Sequence, residues 1–181
     1  MSFVAWMAAL RRCIFSCAVV VLGTVAAGES ARAEDPIKLA VFPFELEDFS
    51  AAGGVVSTEG RDAKYLAEAT EEGKRRLAES GRYTIVETTN AQDEAVRTHT
   101  LHSCNGCVGP IIKKLGADQA VIGTVTRIGR TEYTLLVQVF DGTSGEPAAR
   151  YFTGLRLGAD YSWPRAVRWL MKHRMLAKNG G

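Results

Sequence analysis

Cysteine and histidine are scarce in this sequence. Of 181 residues four are Cys and three are His, and Cys13 and Cys17 lie in an apolar N-terminal stretch, so the remainder has one cysteine pair, Cys104 and Cys107. Charge of one sign is lacking too. Lys and Arg number 22 against 20 Asp and Glu, and the excess of +2 lies wholly in residues 1–33, where Arg11, Arg12 and Arg32 face Glu29 alone. Residues 34–181 are formally neutral, which argues against nucleic acid, a partner that demands concentrated Lys and Arg. There is no Gly-x-Gly-x-x-Gly, no phosphate-loop lysine motif and no nucleophile-elbow serine. No catalytic residue and no cofactor is therefore assigned.

Only one long hydrophobic run is present, Cys13–Ala27. It falls short of the about 20 apolar residues that a membrane span needs. Arg11 and Arg12 precede it, and Ser30-Ala31-Arg32-Ala33 follows with a small-x-small pattern. Residues 1–33 thus read as a secretory signal cleaved near Ala33–Glu34, which places the mature chain in the periplasm or outside the cell. The alternative is a retained N-terminal anchor. A lipoprotein would carry its acylated cysteine after the run, whereas Cys13 and Cys17 sit at its start. Residues 34–176 suit one soluble domain with a real core, and 177–181 read as a disordered tail.

Along that domain, "IKLAVFPF" (37–44) is a run of β-formers, predicted as a strand buried on both faces. Pro43 donates no ladder bond, so pairing should fail near its end. Residues 45–60, with Glu45, Glu47 and Asp48, read as a solvated loop, or alternatively as a site for a hard cation. Residues 61–80 are predicted to be a helix with a small stripe of Leu66, Ala69, Thr70, Gly73 and Leu77, ended by Gly81. "RYTIVE" (82–87) alternates as a strand. Residues 90–98 suggest a short helix capped by Asn90. Pro110 and Gly116 bracket a helix near 109–115. Three β-rich runs, 119–129, 131–142 and 148–157, make an antiparallel meander. Residues 162–176 form a last helix with Trp163, Val167, Leu170 and Met171 on one face and Arg165, Arg168, Lys172 and Arg174 largely outside it. The order β-α-β-α(α)-β-β-β-α specifies an α/β (α+β) fold, a single mixed sheet of about five strands with helices packed on it.

The chemistry concentrates in "THTLHSCNGCVGP" (98–110). Covalent haem attachment would need His after the second cysteine, and position 108 is Val. A disulfide oxidoreductase needs its first cysteine at a helix N-terminus after a strand; the helix is predicted, the strand is not. His99, His102, Cys104 and Cys107 form a candidate metal set for zinc or copper(I), but all four would have to fold around one ion within one loop. A structural disulfide between Cys104 and Cys107 is favoured, with Asn105-Gly106 turning the chain between the sulfurs. Its small ring closes little chain entropy, well below the roughly 3 kcal/mol of a 15-residue loop.

The segments "IKLAVFPFELED", "LAESGRYTIVE", "SCNGC", "IIKKLGADQAVIGTVTRIG" and "YSWPRAVRWLM" resemble a family of secreted bacterial proteins defined only as a domain of unknown function. "AVFPFE", "LAESGRY" and "LGAD" before "VIGTV" are also similar, more distantly, to the N-terminal α/β domain of TolB and the related domain of the curli secretion lipoprotein. The resemblance implies an envelope interaction module with an envelope protein as partner, and it supplies no catalytic residues. Phe49, His99 and His102 are candidate contact residues in the loops. Arg165, Arg168 and Lys172, with Arg174, are candidate contacts to a partner or to anionic lipid. The alternative function is thiol-disulfide or metal handling by His99, His102, Cys104 and Cys107. Oligomeric state is not legible at this level.

Overall fold

The computed structural model describes residues 35–50, 60–129, 132–156 and 162–177. The chain divides into Met1–Ala33 and Glu34–Gly181, and every described residue belongs to the second unit. The expected leader and residues 178–181 of the expected tail lie outside the described residues, as do residues 51–59 of the expected loop.

The mixed sheet has the order β3-β1-β4-β5-β6, with β2 also on β4. β1 (Ile37–Val41) runs parallel to β3 (Tyr83–Val86) and to β4 (Gln119–Arg127). β4, β5 (Glu132–Asp141) and β6 (Pro147–Arg156) form the expected antiparallel meander. β2 (Glu45–Asp48) is a strand where a loop was expected, and it pairs in parallel with β4. Its cause is Pro43. Pairing stops after Val41, which sits opposite Val121, and resumes with Glu45 opposite Thr124. One more residue is spent on this side than on β4, the signature of a bulge.

Side chains alternate along a strand, so a one-residue slip exchanges the faces. Leu39 and Val41 point to the layer that holds α1 (Gly60–Glu79) and α4 (Ser162–Leu170). Unbroken alternation would send residue 45 there as well. The slip sends Phe44 there instead and turns Glu45 to the opposite face. The Phe44 ring lies over Gly123, where an added Cβ would come within 2.5 Å of it. The bulge amide is also satisfied: Phe44 N–H donates to Thr70 Oγ1 at 2.8 Å, and that hydroxyl donates to the Leu66 carbonyl. Thr70, the polar member of the α1 stripe, is thus the partner that Pro43 and the bulge leave wanting.

Trp163, Val167, Leu170 and Met171 are all buried against α1 and the sheet. The expected helix 162–176 changes character at its end, becoming a π turn over Met171–Met175. The wider turn keeps Met171 and Met175 on the same buried side. On the other face α3 (Val108–Leu115) sets Val108, Ile111 and Ile112 on Ala40, Phe42, Ala120, Ile122 and Phe140. α2 is shorter than expected. It spans Glu94–Arg97 with Asp93, not Asn90, at its N-cap position, and Asp93 holds Lys114 Nζ at 2.7 Å in place of a capping bond.

Candidate functional site

Reversal of the faces at the bulge builds the most unusual polar feature of the fold. Glu45 is 1% exposed, and a buried carboxylate is tolerated only when its oxygens are paired. Its Oε1 accepts the Leu101 N–H at 2.9 Å, and its Oε2 accepts the His102 N–H at 2.9 Å. His102 Nδ1 lies 2.6 Å from the same Oε2. Glu45 therefore clamps the 3-10 turn Leu101–Ser103 onto the sheet. His102 Nε2 points toward Glu47 Oε1 at 3.9 Å, and Glu47 accepts from Thr126 Oγ1 at 3.3 Å. The expectation of a solvated loop at Glu45 is corrected here. The acid is buried because the chain bulges two residues earlier.

Cys104 and Cys107 form the disulfide, with Cα atoms 5.8 Å apart, within the span such a bridge allows. Gly106 makes the turn between them at φ +80°, and Cys107 is the N-cap residue of α3. The candidate metal set does not converge. The sulfurs bond to each other, His102 holds Glu45, and His99 is exposed at φ +53° just past α2. Among the described residues no three of His, Cys, Asp and Glu are placed to hold a metal. Asp48, the other candidate cation ligand, faces away from Glu45 and holds Arg127 at 2.9 Å.

Arg127 is a second, half-buried polar hub, unforeseen in the sequence. It reaches Asp48 of β2 and Asp62 of α1, and stacks 5.5 Å from the Tyr133 ring. Burial works against its charge, but the bonds to Asp62 and Tyr133 hold its pKa above the ordinary value. Ser50, and then Arg127, keep the Asp48 carboxyl below its usual range.

Of the basic residues on α4, Arg168 is not an available cation. Its Nε donates to Glu72 Oε1 at 2.7 Å, joining Arg75 and Arg76 on the same carboxylate. Burial would raise the Glu72 pKa, yet the bonds from Arg168, Arg75 and Arg76 lower it from 4.5 to about 2. A depressed carboxyl adds stability that is complete above the unfolded value and lost as the folded group protonates. Stability from Glu72 should thus be full above about 4.5 and disappear as pH falls toward 2. Urea titrations from pH 5 to 2 should show a flatter acid limb for Glu72→Gln than for the parent. Arg165 and Lys172 stay on the exposed surface of the helix.

Large apolar side chains are exposed chiefly on one sheet face. The α2–α3 segment covers Ala40, Phe42, Ala120, Ile122 and Phe140 but not the rest of that face. The remainder carries Glu47 and then Phe49 along β2, Thr126 and then Ile128 along β4, Leu136 on β5 and Phe152 on β6. Phe49, Ile128 and Phe152 are 68%, 48% and 62% exposed. The Phe49 N–H bonds the Arg127 carbonyl at 2.9 Å, which continues β2 beside β4 and sets Phe49 alongside Ile128. Phe49 was a candidate from the sequence; Ile128 and Phe152 were missed, because in the sequence they look like ordinary strand residues.

Residues 37–175 match the family DUF3280, described as Protein of unknown function (DUF2380). The chain belongs to this family. No curated protein matches it. Among solved structures it is similar to the LpoB C-terminal domain from Salmonella enterica, at 14% identity, 70% of this chain, 87% of that one and a TM-score of 0.45. It is also similar to lipoprotein GNA1162 from Neisseria meningitidis, at 16% identity, 69% and 84% coverage and a TM-score of 0.46. TolB from Acinetobacter baumannii, whose N-terminal domain the sequence resembles, matches at 12% identity over 75% of this chain and 27% of that one, with a TM-score of 0.47. No helix among the described residues is long and apolar enough to cross a membrane.

Proposed function

We propose that this chain is an exported, non-enzymatic binding module of the cell envelope that recognises a protein partner with the open half of its sheet. The observation that supports this most is the gathering of Phe49, Ile128 and Phe152 on one exposed face. Phe49 and Ile128 are neighbours and Phe152 lies two ladder rows away on the same face; large apolar side chains exposed on one face mark interaction sites on folded proteins. The Glu45–His102 clamp supports the same reading as a structural device: it anchors the covering segment and so fixes where coverage ends and the open face begins.

Phe49→Asp and Phe152→Asp should each cut crosslinked capture of the partner from envelope extracts at least tenfold while leaving the thermal midpoint within a few degrees of the parent. Undiminished capture by both variants would overturn the reading. The competing function, thiol-disulfide or metal handling, makes a different prediction for the purified protein. Under the binding-module reading, Cys104 and Cys107 contribute no free thiol before denaturing reduction and two after it, and elemental analysis finds no stoichiometric zinc or copper. A thiol that reacts in the native state, or one metal per chain, would favour the rival.

A further inference from the structure

We infer that β6 receives an extended acidic segment of the partner as an added strand. This rests on the binding reading above and says what kind of chain docks. β6 is the outer strand of the sheet. It pairs with β5 and, among the described residues, with nothing on its other side. Exposed edges template unwanted pairing, so proteins guard them with prolines, bulges, inward charges or short strands. Here Pro147 and the register shift beside it guard one end, and between Ala149 and Leu155 the one charged guard is Arg150, which an acidic strand would neutralise. From Ala149 to Leu155 the ladder is regular, which leaves an open edge of roughly 23 Å at about 3.3 Å per residue.

The side chains along this edge suit a visiting strand. Tyr151 and Leu155 turn into the α1–α4 core. Arg150, Phe152 and Gly154 alternate with them onto the open face, and all three are exposed. A Cβ at Gly154 would touch nothing within 4 Å, so there is room beside Phe152. Arg150 has no ion-pair partner among the described residues, and its cross-strand neighbour is the neutral Gln138. The strand "PAARYFTGLR" contains two arginines and no acid. A second copy of β6 laid antiparallel would therefore bring only more positive charge to Arg150. A partner segment that alternates acidic and β-branched residues sets its acids on the open face, where they give Arg150 a counter-ion, and its β-branched residues on the opposite face beside Tyr151 and Leu155. Main-chain bonds along the edge supply the affinity, and the alternate side chains supply the selection.

The test uses the full chain and three synthetic octapeptides: alternating Glu and Val, alternating Lys and Val, and the Glu–Val peptide N-methylated along one edge. Fluorescence anisotropy reads binding, and amide exchange reads residues 149–155. The Glu–Val peptide should bind at least tenfold more tightly than the Lys–Val peptide and slow exchange across 149–155. The N-methylated peptide should fail, and Arg150→Glu should invert the charge preference. Equal binding of all three peptides, unchanged exchange, or protection that grows with protein concentration in the absence of peptide (a second copy on the edge) would each overturn the proposal. If Phe49→Asp abolishes partner capture while the peptides leave β6 unaffected, the binding reading stands and strand addition falls. If both aspartate variants capture normally while the Glu–Val peptide pairs, the reading of the open face falls instead.

Discussion

Glu45→Ala should lower the free energy of unfolding by about 3–5 kcal/mol, the summed cost of leaving several enclosed donors without their acceptor at about 1–3 kcal/mol each. The substitution strips the acceptor from two N–H groups and the imidazole of His102 at once. Glu45→Gln should cost less, about 1–3 kcal/mol, since one amide oxygen still accepts while the amide NH₂ confronts donors. Urea unfolding at neutral pH measures both. Amide exchange locates the effect: the Leu101 and His102 amides should lose protection first, ahead of the β4 and β5 ladders, because the 3-10 turn is held to the sheet chiefly through this carboxylate. A loss below about 1 kcal/mol for the alanine variant would show that the clamp is not the anchor described here.

Arg127→Met should be nearly as damaging, at about 3 kcal/mol. Methionine keeps much of the apolar stem that packs on Tyr133, so the effect isolates the charge. Without the guanidinium, the carboxyls of Asp48 and Asp62, with side chains 16% and 14% exposed, both lose their ion-pair partner, and Asp48 keeps the Ser50 N–H. The Asp48 carboxyl then loses one of the partners that hold its pKa below the ordinary value, while its bonds with Ser50 remain. The part of the neutral-pH deficit that comes from the Asp48–Arg127 pair should fade as the pH falls below about 4 and Asp48 takes up its proton. Denaturation midpoints of parent and variant should therefore converge in acid. A deficit that stays constant from pH 7 to 3 would assign the loss to packing instead of charge.

Several elements were legible because their cause is local. The α1 stripe, Gly81 and Gly116 at helix ends, and the alternation along residues 119–157 are patterns of 3.6 or 2 residues that need no distant partner. Pro43 was legible in the same way as a break in pairing. Its consequence was not. That a residue bulges out, and that Glu45 thereby turns inward, depends on β4 resuming the pairing and on Thr70 receiving the bulge amide. The alternation of Glu45, Glu47 and Phe49 resembles a solvated loop until the register with Thr124, Thr126 and Ile128 is known. Likewise Arg168 looks like one more wet arginine on an amphipathic helix until α4 is laid across α1, where Glu72 lies 96 residues away in sequence.

Composition, charge balance and short-range periodicity were enough to specify a mixed α/β sheet, its meander and the cysteine pair, because each of these follows from near neighbours along the chain. The buried clamp, the Arg127 hub, the open half of the sheet and the bare edge of β6 emerge only once strands distant in sequence are in register. Burial and exposure are properties of what lies opposite a residue, and here a single extra residue beside Pro43 selects which side chains meet the core and which meet water.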